Sequence, residues 1–155
     1  YHFPYLDQDP EARLAWPTYI HKDSAFKSYG LPGGRDAGFR GQKVAEYMGG
    51  RRMDSAAAQD GRIDPTNRER VIDYVKRYLP GLDPTPYAET TCIFTSTPTE
   101  DFIMDETQGI TIMSPCSGHG AKFGPLLGDM AADLATGTGA VPEKFRLLSH
   151  AKALL

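Results

Sequence analysis

Phe102-Ile103-Met104-Asp105-Glu106-Thr107-Gln108-Gly109-Ile110-Thr111-Ile112-Met113-Ser114 reads as two short β-prone runs, Phe102 to Asp105 and Gly109 to Ser114, joined around Glu106-Thr107-Gln108. A connection of hairpin length returns the chain antiparallel, because a parallel crossover needs about a dozen residues or more. Downstream, Leu126, Leu127, Met130, Ala131 and Leu134 recur at helical spacing after Lys122, and Gly137 ends the run. The tail from Glu143 to Leu155 predicts one more short helix. Upstream, Tyr87 to Thr95 is rich in β-branched and aromatic residues and predicts a strand. Asp64-Pro65 opens a helix in which Thr66 and Glu69 form a capping box. Its buried stripe is Val71, Val75 and Tyr78, and Pro80-Gly81 stops it. Before that helix, Trp16 to Ile20 and Ala25 to Tyr29 pair as strands across the polar turn His21-Lys22-Asp23-Ser24. Phe39 to Tyr47 is a third strand and Gly49 to Gly61 a loop, whereas residues 1–15, with Pro4 and Pro10, read as an irregular N-terminal segment. The order of strands, helix, strands, helix predicts an α+β fold, a mostly antiparallel sheet with two main helices.

Composition narrows the function. The 155 residues include 16 glycines and 12 prolines, which points to many short elements. A net charge of −3 with scattered lysines and arginines gives no basic face for nucleic acid. No apolar run approaches the ~20 residues of a membrane span, so no membrane partner is expected. Two cysteines without a framework of spacings fit a reducing, cytoplasmic setting. A dinucleotide-binding turn is missing as well. Gly30-Leu31-Pro32-Gly33-Gly34 has a proline where N–H groups must be delivered, and in Gly118-His119-Gly120 the third glycine, Gly124, comes one position late. The chain starts at Tyr1 rather than Met, which predicts a piece of a longer protein.

Two further stretches carry chemistry. Cys92-Ile93-Phe94-Thr95-Ser96-Thr97-Pro98 places a thiol beside an aromatic side chain. Ser117-Gly118-His119-Gly120-Ala121-Lys122-Phe123 runs into the apolar helix, with two glycines that let backbone N–H groups approach a ligand at a helix start. With Asp101-Phe102-Ile103-Met104-Asp105 between them, these segments resemble the C-terminal part of the monomeric sarcosine oxidase and N-methyltryptophan oxidase family, FAD-dependent enzymes that oxidise secondary amino acids. The resemblance runs from Cys92 to about Ala135.

The resemblance implies that residues 16–155 are the catalytic, substrate- and flavin-facing part of a two-domain flavoprotein whose N-terminal FAD-binding Rossmann half is a missing partner. In that family the cysteine matching Cys92 bonds through sulfur to the flavin ring. Gly118, His119, Gly120 and Lys122 would border the flavin, and Lys122 would also pair with the substrate carboxylate. Upstream, Tyr29-Gly30-Leu31-Pro32 and Gly41-Gln42-Lys43 resemble the strands that bring a tyrosine and a lysine to the other side of the ring. Lys43 would then be catalytic, its charge favouring oxygen reduction. Tyr29, Tyr47 and Phe94 would contact substrate, with Tyr47 standing where the sarcosine oxidases carry a histidine and Phe94 where they carry a tyrosine. The implied reaction is hydride transfer from a small secondary or N-methyl amino acid to flavin, then peroxide formation and imine hydrolysis.

Without the Rossmann half, the isolated piece should be inactive and free of FAD. A bare sheet face would favour a homodimer near Trp16 and the strands up to Tyr29. Other readings of the same residues are a zinc site on Cys92, Cys116 and His119, which lacks a fourth ligand, and a Cys116–His119 nucleophile pair without a specific pattern. A binding or assembly module without catalysis is the alternative from another class.

Overall fold

The computed structural model describes residues 1–9, 11, 14–34, 38 and 40–152, and the chain folds as two compact units, Tyr1–Cys92 and Ile93–Leu155. The α+β expectation holds, with two antiparallel sheets in place of one.

In the first unit, β1 (His2–Pro4), β2 (Tyr19–Lys22), β3 (Lys27–Pro32) and β4 (Gly41–Glu46) form a sheet of order β1-β4-β3-β2. The N-terminal segment is therefore not irregular throughout. Phe3 pairs with Gln42 and is fully buried, and Tyr5 reaches the same core. A three-residue strand has too little pattern to be seen locally, and it is stabilised by a partner forty residues away. The β2–β3 hairpin forms as expected but slides toward the C-terminus, with Tyr19 opposite Gly30. The cause is Asp23, whose carboxylate accepts from the N–H groups of Ala25 and Phe26, both at 2.7 Å, and places the turn at 23–26. Trp16 leaves the sheet and packs its indole on Gly81 and Tyr5. Of the strand expected from Phe39 to Tyr47, Phe39 lies outside the described residues.

Helix α1 (Pro65–Tyr78) covers one sheet face. Asp64, not Thr66, is its N-cap, accepting from the Thr66 N–H at 2.9 Å, with Pro65 in the first turn. Val71 and Val75 are buried as expected, but Tyr74 takes the place foreseen for Tyr78, which remains 45% exposed with its ring tilted against that of Tyr74, centroids 5.0 Å apart. Phe3, Val44, Val71 and Val75 are fully buried, each contributing roughly 1.5–3 kcal/mol. Gln42 is buried among them without cost in hydrogen bonds: it accepts from the Tyr5 hydroxyl and donates to the Pro17 carbonyl, both at 2.9 Å.

A glycine is needed at 41. A Cβ there would stand 2.1 Å from the Phe3 carbonyl oxygen, where no side chain can move aside. Gly41→Ala should cost about 3 kcal/mol, the upper end of ordinary overpacking, measured as a fall in denaturation midpoint. Wild-type stability in that variant would show that β1 can detach without loss.

Tyr87 to Thr95 does not form a strand. Ala88 makes an isolated bridge to His2, and residues 92–96 are exposed. β-branched and aromatic residues favour a strand when a pleated, half-buried surface receives them, and that surface is absent from this stretch. In the second unit β5 (Ile103–Thr107) and β6 (Ile110–Ser114) make the hairpin, turned by Gln108 and Gly109 at φ 51° and 80°. Two consecutive positive φ angles define the tight turn whose twist suits a two-residue hairpin loop. Helix α2 (Gly124–Thr136) ends at Gly137, φ 69°, as the sequence predicts. Leu127 and Leu134 join Phe102, Met104 and Val141 in a second core, while Leu126 faces out. The tail makes a single 3-10 turn (Glu143–Phe145) and α3 (Leu147–Lys152). No helix among the described residues is long and apolar enough to cross a membrane.

Candidate functional site

In β4, Gln42 and Val44 point into the core, so Lys43 between them projects from the opposite face. Its direct cross-strand neighbours are His2 on β1 and Leu31 on β3, and Tyr29 is diagonal to it. The Lys43 ammonium stands 5.3 Å above the Tyr29 ring, a cation–π distance. Tyr47, just past the strand, has the Lys22 ammonium 5.7 Å from its ring centroid and donates its backbone N–H to the Lys27 carbonyl. The alternation of β3 and β4 puts Tyr29, Lys43 and Tyr47 on one side of the sheet, away from α1. Three residues chosen from sequence thus share a face that also exposes Leu31 and Ile20.

Cys92 closes the first unit, with its thiol exposed. Just beyond it in the second unit, Phe94 lies against Gly118: a Cβ on Gly118 would meet the Phe94 ring at 3.2 Å. Ser117 and Gly118 both adopt positive φ, 56° and 75°, and the buried Ser117 is tied by its N–H to the Thr95 carbonyl at 2.7 Å. Its Oγ accepts from the Thr97 N–H at 3.3 Å. The two chemistry-bearing stretches are thereby stitched together. Gly120 is required for a different reason, since a Cβ there would overlap the Pro115 carbonyl. Its smallness folds the loop on itself.

His119 donates from Nε2 to the Glu100 carbonyl at 3.0 Å, and its ring packs 4.9 Å from that of Phe102. That bond commits the imidazole to holding the loop and leaves Cys116 without it as a base through Nε2. Lys122 is exposed, its ammonium 5.3 Å from the Phe123 ring. Neither Lys43 nor Lys122 is in an ion pair among the described residues. Both are cations available to an anion. Asp101, Phe102, His119, Lys122, Phe123, Lys144 and Phe145 line a cavity of about 290 Å³.

Lys144 and Phe145 were not among the residues foreseen. Asp101 accepts from Lys144 at 2.7 Å, and this hydrogen bond holds its carboxyl below the usual aspartate range. Asp105 accepts from Arg146 at 2.6 Å and from the Leu147 N–H at 3.0 Å; its carboxyl is likewise lowered, first by Arg146 and then by that backbone bond. The carboxylates at 101 and 105 and the basic residues at 144 and 146 stand in the sequence with no signal that links them. Their pairing depends on how the tail turns back. Among the described residues no group of three or more His, Cys, Asp or Glu side chains could hold a metal ion.

The family model of the FAD dependent oxidoreductases, DAO, matches residues 1–134. A monomeric sarcosine oxidase of Streptomyces avermitilis is 33% identical over 132 residues, 81% of this chain and 34% of that protein. An N-methyl-L-tryptophan oxidase of Yersinia pestis strain Pestoides F is 35% identical over 109 residues, 67% of this chain and 28% of that protein. The chain spans about a third of the length of these curated relatives. Among solved structures, NikD, described as an unusual amino acid oxidase essential for nikkomycin biosynthesis, in its open form, is similar with a TM-score of 0.54. At 22% identity, covering 76% of this chain and 32% of that one, it supports the fold alone. The match over 1–134 and the identity to the two oxidases establish that this chain belongs to the FAD-dependent oxidoreductase family.

Proposed function

We propose that this chain is the substrate- and flavin-edge part of a cytoplasmic FAD-dependent oxidase acting on a secondary or N-methyl amino acid, working with an N-terminal FAD-binding half. The observation that carries the reading is Lys43 standing over Tyr29 on the sheet face turned away from the core.

The residues present fit the ring end of FAD and not its dinucleotide end. Gly30 and Pro32 are paired within β3, where a Cβ on Gly30 would meet the Lys43 carbonyl oxygen at 2.8 Å. A strand so tightly paired cannot cradle a pyrophosphate. At the ring end the exposed Cys92 would form the covalent link, and Gly118, His119 and Gly120, on a loop held by its own backbone bonds, would border the ring. Bound FAD would supply the hydride acceptor and the route of electrons to oxygen, giving peroxide.

The chain's own residues supply position and charge. Lys122 would bind the substrate carboxylate, and Tyr29, Tyr47 and Phe94 would border the amine. His119 keeps the loop in place, and Lys43 provides a fixed cation where negative charge builds on oxygen.

In the full-length enzyme, Lys122→Ala should raise KM for carboxylated amines by about ten- to a hundredfold, the worth of one charge-assisted hydrogen bond. Amines lacking a carboxylate should be little affected. Equal losses for both classes would assign Lys122 to the fold or the flavin instead.

A further inference from the structure

Residues 143–152 lie beyond the stretch matched by the family model, which stops at 134. They are nevertheless tied to the support of the Ser117–Lys122 loop. The tripeptide Glu100-Asp101-Phe102 is gripped from two sides. From the loop, His119 donates to the Glu100 carbonyl and rests its ring on Phe102. From the tail, Lys144 donates to the Asp101 carboxylate and Phe145 packs its ring 5.4 Å from Phe102. His150, buried, donates from Nε2 to the Phe102 carbonyl at 2.9 Å. Phe102 is thus the shared wall between the tail and the loop. Asp105 then clamps the tail one turn further on, through Arg146 and the Leu147 N–H.

We propose that Phe145 is a positioning residue for the substrate loop: through Phe102 it fixes the His119 ring, and with it the place at which Lys122, three residues on, presents its charge. The inference rests on the reading of Lys122 given above. It follows from contact geometry. If the His119 ring is free to leave Phe102, the loop loses that aromatic support at its centre, while at its start the ties of Ser117 to Thr95 and Thr97 and the contact of Gly118 with Phe94 remain.

The experiment uses the full-length enzyme with Phe145→Leu, which keeps an apolar filler and removes the ring. A second variant, Asp105→Asn, weakens the clamp without opening the core. Leu148→Ala, at a side chain 72% exposed, serves as control. Amide hydrogen exchange at residues 118–122 should rise on the order of tenfold in the first two variants with α2 unchanged, as expected of a local opening. KM for carboxylated amines should rise about three- to tenfold while kcat stays within twofold, and Phe145→Tyr should restore both. Unchanged exchange in the loop would overturn the proposal, as would a parallel rise across α2 and the hairpin, which marks general destabilisation. Should Phe145→Leu fail to fold, Asp105→Asn alone decides by the same criteria. A loosened loop with KM unmoved for both substrate classes would uphold the positioning and overturn the substrate role of Lys122.

Discussion

Cys92→Ser in the full-length enzyme is expected to leave flavin in the supernatant after acid precipitation, where the wild-type polypeptide should carry it into the pellet. The whole bound fraction is at stake, the largest effect foreseen for a single atom exchange. A thioether needs a sulfur nucleophile that a planar ring can reach, and a hydroxyl is far weaker in that role. Cys92 is exposed, in a stretch that forms neither helix nor strand. Phe94, two residues on, rests on Gly118, which connects this stretch to the glycine loop expected at the ring edge. Retention of flavin by the Ser variant would move the linkage elsewhere, first to Cys116, the other exposed thiol. Loss of flavin from wild type under the same acid would exclude a covalent bond altogether.

How much of this could be read beforehand depends on the range of the interactions involved. Helix α2 was legible because its signal is local: Leu127, Met130 and Leu134 lie on one stripe, and Gly137 has the left-handed conformation that a non-glycine residue adopts at a cost. The β5–β6 hairpin was legible for the same reason, although its turn falls on Gln108-Gly109, one residue beyond the centre expected. Strand β1 and the non-strand at 92–96 were misread because each is decided by a distant partner. Phe3 gains its place from Gln42 and Val44, and Tyr87 to Thr95 has strand composition but meets a strand only at Ala88, opposite His2. The helix cap failed on a finer point, since Asp64 and Thr66 both suit a cap and the proline at 65 favours the residue before it. For the site, residue types in a motif named Lys43, Cys92, Gly118, His119 and Lys122. The tail residues Lys144, Phe145, Arg146 and His150 could not be named that way. Their role arises from a return of the chain onto 100–105 that no short pattern encodes.

Lys43→Met is expected to slow the transfer of electrons to oxygen by roughly 10²–10³-fold, the usual loss when one preorganised electrostatic partner is removed from a reacting centre, while the amine half-reaction stays near wild type. The asymmetry follows from where charge appears. Oxygen acquires negative charge as it is reduced, and a cation fixed nearby favours that change, whereas oxidation of the amine needs no cation at this position. The fold keeps Lys43 in place from both sides of the strand. Gln42 and Val44 are fully buried, Leu31 pairs opposite, and the Tyr29 ring lies beneath the ammonium. Rapid mixing of each half-reaction separately reads the effect, with Lys43→Arg expected to recover part of the rate because it keeps the charge but broadens it. If oxygen consumption by Lys43→Met matches wild type and only thermal stability falls, Lys43 is a sheet lysine whose partner is Tyr29 and nothing more. If instead both half-reactions slow together, the open face of β3 and β4 serves to orient the amine, and the cation acts before oxygen arrives.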